Sequence, residues 1–166
     1  SASVSSGGRT QVRGASVAEQ NVYYGIDAPG ADPWYLQRVT RVGNSTVGVD
    51  IPLTLNDYAP SSGERLTLRV WGGLDYPGQG DDHALEVQLN GQTLGSLRFD
   101  GVNERDLSVD LPAGLARAGA NTVRVNLLPT TGFDTDRINI ESVRIEHDRL
   151  LVARAGRLAF DSGSLA

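Results

Sequence analysis

Apolar and polar residues alternate at period two through most of the chain, which predicts strands, because successive side chains of a strand point to opposite faces. In "STVGVDIPLTL" Val47, Val49, Ile51, Leu53 and Leu55 share one face, and Pro52 predicts an edge position or an outward, unpaired amide. "ERLTLRVW" repeats the pattern with Leu66, Leu68 and Val70 inward, leaving Trp71 on the other face with Thr67 and Arg69. "DLSVDL" turns Leu107, Val109 and Leu111 inward, and "NTVRVNLL" does the same with Val123, Val125 and Leu127. No convincing amphipathic helix appears; only "PAGLARAG" is compatible with one helical turn, with Pro112 early and Gly119 near its end.

"HALEVQLNGQTLGSLRFDG" is the strongest local signal. Asn90-Gly91 between alternating runs predicts a type I′ hairpin, since both turn positions want positive φ. Pairing Leu89 with Gln92 sets Val87 opposite Leu94 and Leu85 opposite Ser96. The return strand's apolar residues, Leu94, Leu97 and Phe99, change phase, so a bulge is expected near Gly95 and Ser96. A second phase slip lies at Glu141-Ser142, between Ile138 and Ile140 on one side and Val143 and Ile145 on the other. The front is less regular, with "NVYYGI" as a strand in which Tyr23 and Tyr24 face opposite ways, and "DPWYLQRV" leading into another. The tail "RLLVARAGRLAFD" carries two strand-like pieces around Ala155-Gly156. Eight to ten short antiparallel strands predict an all-β sandwich. Residues 1–8 read as a disordered leader or tag remnant, and residues 9–166 as one β-sandwich domain belonging to a larger protein.

Composition narrows the chemistry. The 166 residues hold no cysteine, which excludes disulfides, thiolate zinc sites and thiol catalysis. All 15 cationic side chains are arginine, so Schiff-base and P-loop lysine chemistry is excluded as well. The net charge of −5 argues against a nucleic-acid partner, and no apolar run approaches a membrane span.

Three segments form a series: "HALEVQLNGQTLGSLRFDG", then "LPAGLARAGANTVRVNLL", then "RINIESVRIEHDRLL". Together they resemble a jelly roll of the galactose-binding-like class, the fold of many carbohydrate-binding modules and accessory domains. A narrower resemblance is to the jelly roll that precedes the protease domain in gingipain-like, peptidase C25-related bacterial proteins. It rests on Tyr24 with "DPWY" at 32–35, "VQLNGQTLGSLRFDG" at 87–101 and "RLLVARAGRLAF" at 149–160, and covers most of residues 20–160. All of these are fold motifs; the family's catalytic Cys-His pair has no counterpart in a chain without cysteine. The resemblance implies a non-catalytic accessory domain, secreted or at the cell surface, whose partners are neighbouring domains of its parent chain.

The chemistry-bearing stretch is "WGGLDYPGQGDDH". Trp71 is either covered at a strand end or a sugar-stacking platform assisted by Tyr76, with Asp75, Gln79, Asp81, Asp82 and His83 bonding hydroxyls of an extracellular glycan. A hydrolase is the third reading, but Asp81, Asp82 and His83 are adjacent and diverge on an extended chain, and no G-x-S-x-G elbow occurs. Trp34 reads as a core or interdomain anchor, and His147 as an exposed strand-end cap. A structural Ca²⁺ held by Glu19, Asp134, Asp136 and Glu141 is a further candidate, as in some carbohydrate-binding jelly rolls, although "DTDRINIE" lacks the spacing of an EF-hand loop.

Overall fold

The computed structural model describes residues 11–25, 34–130 and 132–151. The expectations for residues 1–8 and for the tail beyond Leu151 lie outside these. The alternation becomes strands throughout. The long ones are β1 (Gln11–Ala18), β4 (Gln37–Val42), β5 (Val47–Leu55), β7 (Arg65–Gly72), β8 (His83–Leu89), β9 (Gln92–Phe99), β10 (Glu104–Asp110), β11 (Gly119–Leu127) and β12 (Thr135–Leu150). Three two-residue pieces complete the set: β2 (Tyr23–Tyr24), β3 (Trp34–Tyr35) and β6 (Tyr58–Ala59).

All pairings are antiparallel. The larger sheet is organised on β12, whose one edge pairs first with β4 and then with β1, while β7 and β6 lie along the other and β10 closes the sheet beyond β7. The second sheet runs β5-β11-β8-β9. Its edge strand β5 carries Pro52, where the missing amide proton breaks no ladder.

The two inner faces form one core. Leu66, Leu68, Val70, Ile138, Ile140, Val143 and Ile145 meet Leu85, Val87, Leu89, Val123, Val125 and Leu127, all with no solvent exposure. Burial of each such side chain stabilises the fold by about 1.5–3 kcal/mol. The phase slip in β12 is a bulge: the register against β7 jumps from Ile140 to Ser142, which leaves Glu141 extra and returns Val143 to the core side.

The hairpin turn forms as expected, with Asn90 at φ 48° and Gly91 at φ 88°. Its bulge sits one residue earlier than the phase argument placed it. Val87 pairs with Gly95 and Gln88 with Thr93, so Leu94 is the extra residue and Leu85 faces Leu97. The helical turn in "PAGLARAG" does not form. The Leu115 amide donates to the Pro112 carbonyl at 3.2 Å, and Gly114 at φ 78° turns the chain out of the right-handed region.

Two other expectations are corrected. His147 is not an exposed cap: it lies inside β12 with no exposure, between Ser16 Oγ at 3.0 Å from Nε2 and the Asp148 carbonyl at 2.9 Å from Nδ1. Tyr23 and Tyr24 do not divide between inside and outside; both are exposed, although Tyr35, which pairs with Tyr23 across the ribbon, is buried.

Candidate functional site

The β7–β8 loop, residues 73–82, meets the β9–β10 turn, residues 100–103, at one end of the sandwich. Gly72 makes this approach possible. Its amide donates to the Asn103 carbonyl at 3.0 Å, and a Cβ there would collide with the Gly101 carbonyl and stand 2.5 Å from His83 Nε2. Gly72→Ala is therefore expected to destabilise the domain by about 3 kcal/mol, read as a lowered denaturation midpoint in urea.

His83, the first residue of β8, is fully buried and determines the electrostatics. Nδ1 lies 2.7 Å from Asp136 Oδ1, which also accepts the Arg137 amide at 2.6 Å. Nε2 faces only carbonyl oxygens, those of Leu74 at 3.1 Å and Gly101 at 3.2 Å. Both ring nitrogens thus face acceptors, the arrangement that suits the doubly protonated imidazolium. Burial by itself lowers the imidazole pKa, but the hydrogen bond and charge of Asp136, the charge of Asp82 and the Gly101 carbonyl outweigh it and hold it above 6.5. The ring also packs against Phe99, centroids 4.6 Å apart.

Asp82, equally buried, staples the loop to the turn. Its Oδ2 accepts from the Tyr76 and Gly101 amides, each at 3.1 Å, while Oδ1 has no hydrogen-bond partner among the described residues. Carboxylate oxygens of Asp75, Asp82 and Asp100 lie within 4.8 Å of one another. The Asp100 carboxyl is pushed up from its ordinary value by lost solvation, by the charge of Asp82 and a hydrogen bond shared with it, and by the charges of Asp75 and Asp81.

The aromatics of the loop are occupied. Trp71 is 9% exposed and its Nε1 donates to Glu141 Oε2 at 3.1 Å. Tyr76 stacks on Phe133, with centroids 4.2 Å and planes 19° apart, and its hydroxyl donates to the Thr135 carbonyl at 2.9 Å. Only Asp75, Gln79 and Asp81 of the loop residues singled out above are exposed.

The calcium set drawn from the first and last strands does not assemble. Asp136 is bound to His83 and Glu141 to Trp71, while Glu19 and Asp134 are exposed and join neither. Among the described residues the acidic cluster is instead Asp75, Asp82 and Asp100. The sequence reading missed Asp100 because it lies in the "FDG" turn, read for its fold pattern alone. The glycine of that motif was the usable signal: Gly101 at φ 73° turns the chain, and a Cβ there would lie 3.9 Å from Asp75 Oδ1.

The architecture is that of a galactose-binding-like jelly-roll β-sandwich. No protein-family model matches the chain, and no curated protein matches it. Among solved structures it is similar to dimeric latent PorU from Porphyromonas gingivalis, a gingipain-like protein, with 16% identity and a TM-score of 0.58. That match covers 86% of this chain but only 13% of PorU. Looser matches include a family 35 carbohydrate-binding module from an environmental isolate, with 15% identity, a TM-score of 0.46, and 82% of this chain and 91% of that one covered. Another is the CBM36-1 domain of a multidomain xylanase from the hindgut metagenome of Trinervitermes trinervoides, with 15% identity, a TM-score of 0.44, and 81% and 96% covered. At these identities the likeness concerns the fold. No helix among the described residues is long and apolar enough to cross a membrane.

Proposed function

We propose that the chain is a non-catalytic accessory domain of a secreted multidomain bacterial protein resembling the gingipain-like peptidases, and that it packs on a neighbouring domain through an exposed aromatic face. The distribution of aromatic surface carries this reading. Trp71 and Tyr76 are covered or stacked within the fold, while the Tyr24 and Trp34 rings, 56% and 41% exposed, meet edge to face at 5.3 Å at the surface. Exposed aromatic surface of this kind marks contact faces. Trp34 then serves as an interdomain anchor. Against a hydrolase stands the state of His83, which is buried with both ring nitrogens engaged and so offers no base to a substrate.

Glycan binding is the second reading, and the same exposure of Trp34 moves it from Trp71 and Tyr76 to the Tyr24–Trp34 pair. The test is a Tyr24→Ser/Trp34→Ser double variant, assayed for binding to the adjoining domain of the parent chain supplied in trans and for retardation on soluble polysaccharides. The expected result is affinity for the domain reduced at least about tenfold, with stability changed by about 0.5 kcal/mol or less and no polysaccharide retarding either protein. Retardation of the wild type that the double variant loses would establish the glycan reading instead. Turnover of a glycoside, ester or peptide by the purified chain would refute both.

A further inference from the structure

We propose that Asp75, Asp82 and Asp100 bind one hard divalent cation, calcium by its chemistry, which clamps the β7–β8 loop to the β9–β10 turn. The inference is independent of what the aromatic face contacts. Three carboxylates come together from three places: the start of the loop, its last residue before β8, and the residue after β9. Oxygens within 4.8 Å of one another fit the shell of a single calcium, whose ligands at 2.3–2.6 Å stand up to about 5 Å apart across the ion.

A cluster of acids alone does not make a site. Here Asp82 supplies the second observation. It has no solvent exposure, its Oδ2 is committed to two amides, and its Oδ1 is buried without a hydrogen-bond partner among the described residues. A shielded carboxylate oxygen without a donor is costly, and the neighbouring carboxylates repel it. A cation supplies the missing partner and removes the repulsion together. Asp75 and Asp100 are exposed, which leaves the remaining coordination positions to water.

The donor set selects the ion. It is all oxygen, with no thiolate in the chain, and the nearest imidazole, His83, has both nitrogens committed elsewhere. Such a set suits calcium or magnesium rather than zinc or copper. Two exposed and therefore adaptable carboxylates favour calcium, which tolerates irregular geometry where magnesium demands an octahedron.

The chain, stripped with EDTA, is titrated with calcium chloride by calorimetry and by thermal unfolding, beside Asp75→Asn and Asp100→Asn. These exposed positions are chosen because Asp82→Asn places an amide nitrogen in the buried staple between loop and turn and so disturbs the fold itself. Expected are one-to-one binding, a melting temperature that rises with calcium, and affinity weakened about tenfold by either substitution. In EDTA each variant should be at least as stable as the wild type, since like-charge repulsion is relieved. The proposal is overturned by the absence of saturable binding up to about 10 mM calcium, beyond the weak end of extracellular calcium modules. It is equally overturned if both variants bind as the wild type does, or if both are less stable than it in EDTA, which would mean that protein donors already hold these carboxylates.

Discussion

Replacing His83 with alanine is expected to lower the stability of the domain by about 3–5 kcal/mol. The side chain is fully buried, and its removal strands the equally buried Asp136, whose Oδ2 already lacks a hydrogen-bond partner among the described residues. It also strips the donor from the Leu74 and Gly101 carbonyls. Equilibrium urea unfolding reads the loss as a lower midpoint at an unchanged slope. A histidine serving a substrate at an open site would instead leave stability within about 0.5 kcal/mol. His83→Ala/Asp136→Ala should cost less than the sum of the single changes, because the second removes the charge that the first leaves unpaired. The linkage to pH has a definite sign. Since folding holds the imidazole pKa above 6.5, its contribution is full below that pH and is lost as pH rises through the folded value.

Trp71→Ala carries the other large effect, again about 3–5 kcal/mol. Its indole is almost wholly covered, and its Nε1 satisfies Glu141, the bulged residue of β12. Trp71→Phe keeps most of the ring and loses the hydrogen bond, for a cost of about 1 kcal/mol. Chemical denaturation of the two variants separates packing from bonding. Were Trp71 a sugar platform, alanine would leave stability nearly unchanged and remove glycan affinity instead.

Much of the fold was legible in the sequence because its information is local. Period-two alternation located the long strands of the core, Asn90-Gly91 located the hairpin turn, and the phase change at Glu141-Ser142 located the β12 bulge. Local pattern could not fix which residue of β9 is extra. Leu94 and Gly95 are both compatible with the phase change, and the pairing of Val87 with Gly95 decides between them.

The site was legible only in part. Alternation put Trp71 on the outer face of its sheet correctly, but what engages it there is Glu141, 70 residues away. His83 and Asp136 lie 53 residues apart and meet through the folding of two different sheets. Adjacent residues of an extended chain do diverge, as the sequence argument held. Yet Asp82 and His83 diverge into different buried networks, the first onto the β9–β10 turn and the second onto β12.

The central claim is that the conspicuous β7–β8 loop is held by a buried ion pair and is not built around a reactive histidine. Nitrogen–proton correlation NMR of the His83 ring, in calcium-free protein between pH 5 and 9, tests it most directly. Both ring nitrogens are expected to be protonated at pH 6.5 and the ring to lose a proton only above it, with one nitrogen shifted by the short bond to Asp136. A ring that titrates to a single neutral tautomer at or below pH 6.5 would contradict it, and would return His83 to the candidates for acid–base chemistry.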